Sequence, residues 1–378
     1  MAGISWERLR GLARFRAEKG YAVSVFVGFD PSDAPTPAAA DTRMHAQLDA
    51  AHRLAEERRG SMSREQREAV KHDLERIRSW FDDGFDRQGA RGVAVFAASL
   101  DNFWSTVKLP EPLAGEAHIG TELALAPLAS HVGRDGALVA AVGRERGQVF
   151  RLLDGALVEI ADQTDDVPGQ HDQGGWSQAR YERHIDELVD RHLRDVAESL
   201  ESCLRRRAAA AVVLVGAEDV RSEFESLLSK AARTRIAGWA SAEAHADAGQ
   251  LLAAARPVLE EWCRRREQEL LEHWRDEAGR NGRATSGWDS TLEAASDGRV
   301  EMLLVQNGVD QKAYQCPECG RAQFTDGRCP LDGTSLERRE DGLDLAVHKT
   351  LAHGGTVHVV RDRNDLRPVG GVGALLRF

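Results

Sequence analysis

Hydrophobic and polar positions in the first third of the chain predict two strands and a long helix between them. Tyr21–Phe29 alternates apolar and polar residues as a half-buried strand does, and Gly92–Ala98 is typical of a buried strand. Roughly residues 63–81 predict a charged helix whose apolar face carries Val70, Leu74, Ile77 and Phe81. We therefore predict an N-terminal α+β domain over residues 1–125, and its pattern contains no catalytic signature.

From about residue 126 to residue 280 the pattern predicts strands first and helices later. Three short strands are separated by Gly-Arg and Asp-Gly turns, which is typical of an antiparallel meander, at Ala137–Val142, Gly147–Leu152 and Ala156–Ile160. Apolar residues then recur at three- and four-residue steps over 179–205, which predicts a long amphipathic helix. A buried strand and further helices follow, at Ala209–Val215, 218–230, 241–253 and 256–277. This order favours a ribonuclease-H-like mixed sheet, although no carboxylates cluster at its strand ends for nuclease chemistry.

Residues 281–378 predict a C-terminal α/β domain, which we expect to be an α/β/α sandwich. Asn281–Gly287 is polar and contains glycine, so it is predicted to be a linker. The domain's predicted elements are the strand Arg299–Val305, the helix Leu343–Ala352 and the strand Thr356–Val360. A cysteine-bearing insertion at residues 314–336 interrupts them.

The composition predicts a soluble, cytoplasmic protein. Of 378 residues, 42% are hydrophobic and 29% charged, and the longest apolar run, Ala208–Val215, is too short to cross a bilayer. The arginine-rich N-terminus lacks the uncharged core of a signal peptide, and five cysteines with two of them isolated do not form a disulfide framework. A net charge of −11 argues against a general nucleic-acid-binding surface. A local RNA contact remains open, as does an ordinary charged helix face, for the basic residues Arg180, Arg183, His184, Arg205, Arg206 and Arg207.

A glycine loop at residues 173–178 precedes the long amphipathic helix. It contains the sequence Gly174-Gly175-Trp176-Ser177-Gln178. Two glycines permit positive φ and close approach to a partner, and the amide of Gln178 could present a donor and an acceptor to water. The alternative is an ordinary glycine turn in which Ser177 caps the helix.

The cysteine insertion contains two turns of matching spacing, Cys316-Pro-Glu-Cys319 and Cys329-Pro-Leu-Asp332. Paired turns of this kind bring four ligands into a tetrahedron, and Zn²⁺ accepts thiolate and carboxylate together. We therefore predict a small zinc ribbon with a structural metal that stiffens a projecting tip. The alternative is a metal-free relic of a ribbon, in which Asp332 is only a turn residue before Gly333.

Two further strings indicate a family. The C-terminal string Val369–Phe378 resembles the closing Gly-Gly-Ile-Gly-Ala-Ile-Leu-Arg-Tyr of the archaeal and eukaryotic class I peptide release factor superfamily, which includes Pelota and bacterial relatives. Arg299–Val305 resembles the strand that opens the third domain of that superfamily. The resemblance covers the second and third predicted domains well and the first poorly, and it implies three domains with a ribonuclease-H-like centre.

The resemblance also implies roles for the glycine loop. Release factors carry a Gly-Gly-Gln loop that enters the ribosomal peptidyl-transferase centre, whereas Trp176 follows the glycines here. The Ser177-Gln178 pair is similar instead to the Gly-Ser-Gln loop of ribosome-quality-control peptidyl-tRNA hydrolases. By that similarity Gln178 is the catalytic candidate, and Gly174, Gly175 and Ser177 shape the loop. Trp176 either stacks on an RNA base, beside Arg180, Arg183 and His184, or packs against its own domain.

Two functions follow from this resemblance. The first is a ribosome-associated peptidyl-tRNA hydrolase of bacterial translation rescue, whose partners would be the large subunit, peptidyl-tRNA and a translational GTPase. The second is a non-catalytic ribosome-binding or hibernation factor of the Pelota or Balon type that occupies the A site. Stop-codon decoding is not supported, because the first domain contains no Asn-Ile-Lys-Ser type of element.

Overall fold

In the computed structural model the chain is a mixed α/β protein with several sheets. The structure describes residues 4–30, 36–85, 90–109, 111–132, 137–153, 156–163, 178–206, 209–243, 245–361 and 363–378. Contacts divide the chain into two compact units, residues 3–133 with 269–378, and residues 134–268. The division into three domains at residues 125 and 280 stays a prediction. In the part of the chain just defined, no helix is long and apolar enough to cross a membrane.

The N-terminal part of the first unit contains an antiparallel sheet in the order β3-β2-β1-β4. Its elements are α1 (Trp6–Ala13), β1 (Ala22–Gly28), α2 (Pro37–Glu57), α3 (Arg64–Ser79), β2 (Gly92–Ala98), β3 (Phe103–Leu109), β4 (Glu116–Gly120) and α4 (Ala126–Ala129). A capping box between Ser63 and Gln66 begins α3. The half-buried prediction for β1 is wrong, since every residue of that strand is buried. Its two faces pack into separate apolar clusters, one around Phe26 and one around Val25.

The second unit is built on a five-stranded sheet in the order β7-β6-β5-β8-β9. Its elements are β5 (Leu138–Val142), β6 (Gly147–Leu153), β7 (Ala156–Asp162), α5 (Gln178–Arg206), β8 (Val212–Gly216), α6 (Arg221–Leu227), α7 (Lys230–Arg233), β9 (Ile236–Ala240) and the first part of α8 (Ala248–Gly279). The antiparallel meander β5-β6-β7 is confirmed, and β8 and β9 add in parallel to β5. The two predicted helices at 241–253 and 256–277 are wrong, because α8 continues through Pro257.

Helices cover both faces of this sheet. On one face α5 packs Leu193, Val196 and Leu200 against β5 and β8. On the other face α8 packs Leu251 and Ala255 against the same two strands. The part of α5 from Val189 to Leu204 is therefore held against the sheet by apolar contacts.

Replacing Leu193, which is fully buried, by alanine is expected to lower the free energy of unfolding of the second unit by about 3 kcal/mol. The lost methyl groups leave a cavity between α5 and the sheet. Val158→Ala is the matched control, because that side chain lies in β7 of the same unit and is 46% exposed, so it should change stability by less than about 1 kcal/mol. Urea denaturation measured by circular dichroism tests both variants. Equal midpoints for the two would contradict the packing of α5.

The C-terminal part of the first unit contains a sheet in the order β10-β16-β11-β15 and a small sheet in the order β13-β12-β14. The elements are β10 (Ala284–Ser286), α9 (Trp288–Ser296), β11 (Val300–Gln306), β12 (Ala313–Gln315), β13 (Ala322–Gln323), β14 (Glu337–Arg339), α10 (Gly342–Ala352), β15 (Thr356–Val360) and β16 (Val372–Leu376). The linker prediction for 281–287 is wrong, because residues 284–286 form β10 and pair with β16. One apolar cluster joins α9, α10 and β11 to α1 and the N-terminal sheet.

A buried carboxylate joins the two parts of the first unit. Oδ1 of Asp344, in α10, accepts hydrogen bonds from the backbone N–H groups of Leu125 (2.6 Å) and Ala126 (2.9 Å). Burial, reinforced by the negative charge of Asp341, raises the pKa of Asp344 to about 7. Asp344 therefore binds its proton more tightly in the folded protein than in the unfolded chain, where a pKa near 3.8 is usual.

Stability is expected to fall as pH rises from about 4 to about 7, because the unfolded chain releases this proton first. Asp344→Asn keeps an acceptor oxygen but cannot ionise. Its stability relative to wild type should rise by about 2–4 kcal/mol between pH 4 and pH 8, measured by urea denaturation. Asp341→Asn is the control, because its effect on stability should change with pH in the opposite direction. Burial opposes ionisation of Asp341, but Arg339 lowers its pKa, so this variant should lose stability chiefly above pH 4.

Candidate metal centre and glycine loop

The glycine loop joins β7 to α5. Gly174, Gly175, Trp176 and Ser177 lie outside the described residues, as do the side chains of Gln178, Arg180, Arg183 and His184. The backbone of Gln178 is described, and it is the first residue of α5. The roles predicted for these residues stay predictions.

The two cysteine turns have the same backbone geometry. In the first, Gly320 N–H donates to the Cys316 carbonyl (2.9 Å), and Cys316 N–H donates to the Arg321 carbonyl (2.9 Å). In the second, Gly333 N–H donates to the Cys329 carbonyl (2.9 Å), and Cys329 N–H donates to the Thr334 carbonyl (2.8 Å). Both glycines have φ of +74°, a left-handed conformation that favours glycine. The second turn is thus a structural copy of the first, with Asp332 in place of its second cysteine.

These turns bring together all four predicted ligand residues, Cys316, Cys319, Cys329 and Asp332. Their donor atoms lie within 4.8 Å of one another. Cys316 Sγ is 3.3 Å from Asp332 Oδ2, and Cys319 Sγ is 3.4 Å from Cys329 Sγ. Thiolates bound tetrahedrally to Zn²⁺ at about 2.3 Å are about 3.7 Å apart, so the Cys319–Cys329 separation is near that expected for such an ion. The cluster could hold a metal ion.

Burial and charge differ among the four ligands. Cys316 and Cys329 are buried, whereas Cys319 and Asp332 are exposed. The Thr334 backbone N–H donates to Asp332 Oδ1 (2.9 Å) and holds the pKa of that carboxyl well below its usual range. The Arg321 backbone N–H favours the Cys319 thiolate, but desolvation and hydrogen bonding with Cys329 raise the pKa of Cys319 to about 12. A bound cation would displace the thiol protons and be balanced by the carboxylate.

Side chains distant in sequence lie beside the first turn. A Cβ atom built on Gly320 would be 3.2 Å from Lys349 Nζ in α10 and 3.8 Å from Arg16 Nη1. The first turn therefore packs against the body of its unit, so the predicted projecting tip is wrong for this turn. No pattern in the sequence indicated these two cations, because they lie in other elements.

A comparison with protein families finds a match that covers most of the second unit. A family model described as bacterial archaeo-eukaryotic release factor family 10 matches residues 124–260, which include the glycine loop and α5. Peptide chain release factor subunit 1 of Archaeoglobus fulgidus is 26% identical over 251 residues, which cover 60% of this chain and 62% of that protein. The chain belongs to the archaeo-eukaryotic release factor superfamily.

Further matches of lower identity include a eukaryotic relative and two solved structures. Eukaryotic peptide chain release factor subunit 1 of Schizosaccharomyces pombe is 23% identical over 261 residues, which cover 61% of this chain and 60% of that protein. The chain thus matches less than two thirds of the length of these relatives. Among solved structures, an archaeal translation termination factor covers 99% of both chains at 17% identity with a TM-score of 0.27. Archaeal Pelota, in a ribosome-bound assembly, covers 76% of this chain and 77% of its own at 15% identity with a TM-score of 0.43.

Proposed function

We propose that this superfamily member is a ribosome-associated peptidyl-tRNA hydrolase of translation rescue. The observation that supports this most directly is the place of Gln178, at the first residue of α5, whose residues from Val189 onward pack against a sheet. The match to the release factor family spans the same segment. A loop that ends at the N-terminus of a long helix is suited to reach into a confined RNA site.

The topology supports a ribonuclease-H-like centre for this protein. Three antiparallel strands followed by two parallel ones, with α5 and α8 on opposite faces, give the order expected for that fold. The C-terminal sheet has α9 and α10 on one face, and Leu271 and Trp274 of α8 pack on Leu304 from the other. This layering supports the α/β/α sandwich, and we propose three domains, at 1–125, 126–280 and 281–378.

The proposed chemistry uses position more than acid or base strength. The ester of peptidyl-tRNA is already activated, so hydrolysis needs an oriented water and donors for the developing oxyanion. Gln178 would orient the water, while Gly174, Gly175 and Ser177 shape the loop. The partial positive charge at the N-terminus of α5 would favour that oxyanion. Trp176, Arg180, Arg183 and His184 are proposed to contact RNA.

We propose that the cysteine cluster binds structural Zn²⁺. The donor set is complete at four, so no open position is left for catalysis. Cys316, Cys319, Cys329 and Asp332 would hold the ion, and the ion would fix the small sheet β13-β12-β14, which is too small for a core of its own.

The second candidate is a non-catalytic ribosome-binding factor that occupies the A site. Trp176 favours it, because an indole stands where release factors carry the catalytic amide. Both candidates place the protein in the cytoplasm, and both admit a translational GTPase as a partner.

Release of labelled peptide from peptidyl-tRNA, on intact ribosomes and on large subunits, distinguishes the two. We expect the wild-type protein to release peptide from at least one substrate and to co-sediment with it. Co-sedimentation without release, with or without a translational GTPase, would support the binding factor and contradict hydrolysis. If the protein neither releases peptide nor co-sediments with ribosomes or large subunits, both candidate functions are contradicted.

A further inference from the structure

A continuous polar path leads from the first cysteine turn to the N-terminal sheet. Gln315 is buried directly before Cys316; its Nε2 donates to the Gly320 carbonyl (3.4 Å), and its Oε1 accepts from Arg339 Nη1 (2.7 Å). Arg339 pairs with Asp341 through two hydrogen bonds of 3.0 and 3.1 Å. Asp341 Oδ2 in turn lies 3.5 Å from His118 Nδ1, in β4. We call these four side chains, Gln315, Arg339, Asp341 and His118, the Gln315 path.

A second contact leads from the same turn to the N-terminal segment. Gly320 packs against Lys349 and Arg16, and Arg16 pairs through a β-bridge with Glu122. Glu122 is only 5% exposed. Burial alone would raise the pKa of Glu122, but electrostatic interactions with His348, Lys349, Arg339 and Arg16 lower it. Lys349 and Arg339 in the C-terminal part and Arg16 in the N-terminal part therefore balance this carboxylate. A buried carboxylate of this kind is costly unless its partners stay in place.

We infer that metal binding at the cysteine cluster fastens the N-terminal segment, residues 14–22 and 116–125, to the C-terminal part of the chain. The inference rests on the zinc site proposed above. The ion fixes the turn Cys316–Gly320, the turn fixes the Gly320 carbonyl and Gln315, and Gln315 holds Arg339 against Asp341 and His118. Loss of the ion releases the turn Cys316–Gly320, and with it the Gly320 carbonyl that Gln315 contacts. The apolar cluster that the two parts share still holds them together. Loss of the ion therefore weakens the polar contact between the parts without separating them.

The wild-type full chain tests this by hydrogen exchange, with zinc, after chelation, and after zinc is returned. We expect chelation to speed amide exchange in 116–125 by about tenfold, the effect of losing one hydrogen bond to a charged group. Returned zinc should restore the slow rate. Strands β5 and β8, in the other unit, serve as the internal reference and should not change.

Two variants distinguish the contribution of the Gln315 path from that of zinc binding itself. Gln315→Ala keeps all four ligands, so it should still bind zinc at one per chain, yet show in 116–125 the fast exchange of the chelated wild type. Arg339→Gln should do the same. Gln311→Ala and Arg338→Gln are matched controls, because both side chains are exposed neighbours outside the path, and they should match wild type.

The outcomes are distinct. A protein that neither contains zinc nor takes it up overturns the metal site and this inference together. Zinc uptake with faster exchange confined to 313–339 after chelation overturns the inference alone, as does a Gln315→Ala protein that keeps both zinc and slow exchange in 116–125. None of these three results bears on peptide release, so the hydrolase proposal is tested separately.

Discussion

Replacing Gln178 by alanine is expected to slow peptide release from ribosome-bound peptidyl-tRNA by about 10²-fold or more. The amide is proposed to orient the attacking water, and loss of one positioned group of this kind typically costs that factor. Alanine is a good helix former, so the first turn of α5 should persist. Since α5 is held by Leu193, Val196 and Leu200 farther along, the variant should fold as wild type does.

The matched control for this loss is Gln173→Ala. Gln173 lies in the same loop but before the two glycines, so its removal should leave the release rate within about twofold of wild type. Both variants should co-sediment with ribosomes equally. A release rate in Gln178→Ala equal to that of the wild-type protein would show that another group orients the water. An equal loss in both variants would indicate a general effect on the loop.

Replacing Cys316 by serine is expected to weaken zinc binding by at least about 10²-fold. Cys316 is fully buried, and its sulfur lies 3.3 Å from Asp332 Oδ2, so a hydroxyl there supplies a poor ligand at a closed site. The free energy of binding a structural zinc ion is in effect free energy of folding for a ribbon of this size. The variant should therefore lose order in β12, β13 and β14.

Competition with a chromophoric chelator measures this change. Cys263→Ser is the control, because that cysteine is exposed on α8 and lies outside the cluster. Asp332→Cys should tighten zinc binding relative to wild type, since the second turn already copies the backbone of the first. Unchanged affinity in Cys316→Ser would contradict the metal centre. Weaker binding in Asp332→Cys would show that the site is built for a carboxylate.

Strong periodicity made several elements predictable. The three- and four-residue spacing of α5, the meander of β5, β6 and β7, and the apolar residues of β11 and β15 all depend on residues close in sequence. Weaker patterns were missed. The alanine-rich α2 has little contrast between its faces, and β3 is half-buried along most of its length, so neither shows a clear period. Packing also overrode a local signal at Pro257, because apolar contacts of Ala255 and Val258 with the sheet continue on both sides of it.

The sequence by itself determined which four residues form the candidate metal centre and the place of Gln178 at the start of a helix. Both depend on spacings of a few residues, which the local backbone converts directly into geometry. Only the tertiary structure decided that Gly320 lies beside Arg16 and Lys349, and that Gln315 reaches His118 through Arg339 and Asp341. Those contacts join residues up to about 300 positions apart. They depend on how the sheets and helices of one core pack together, which local patterns do not specify.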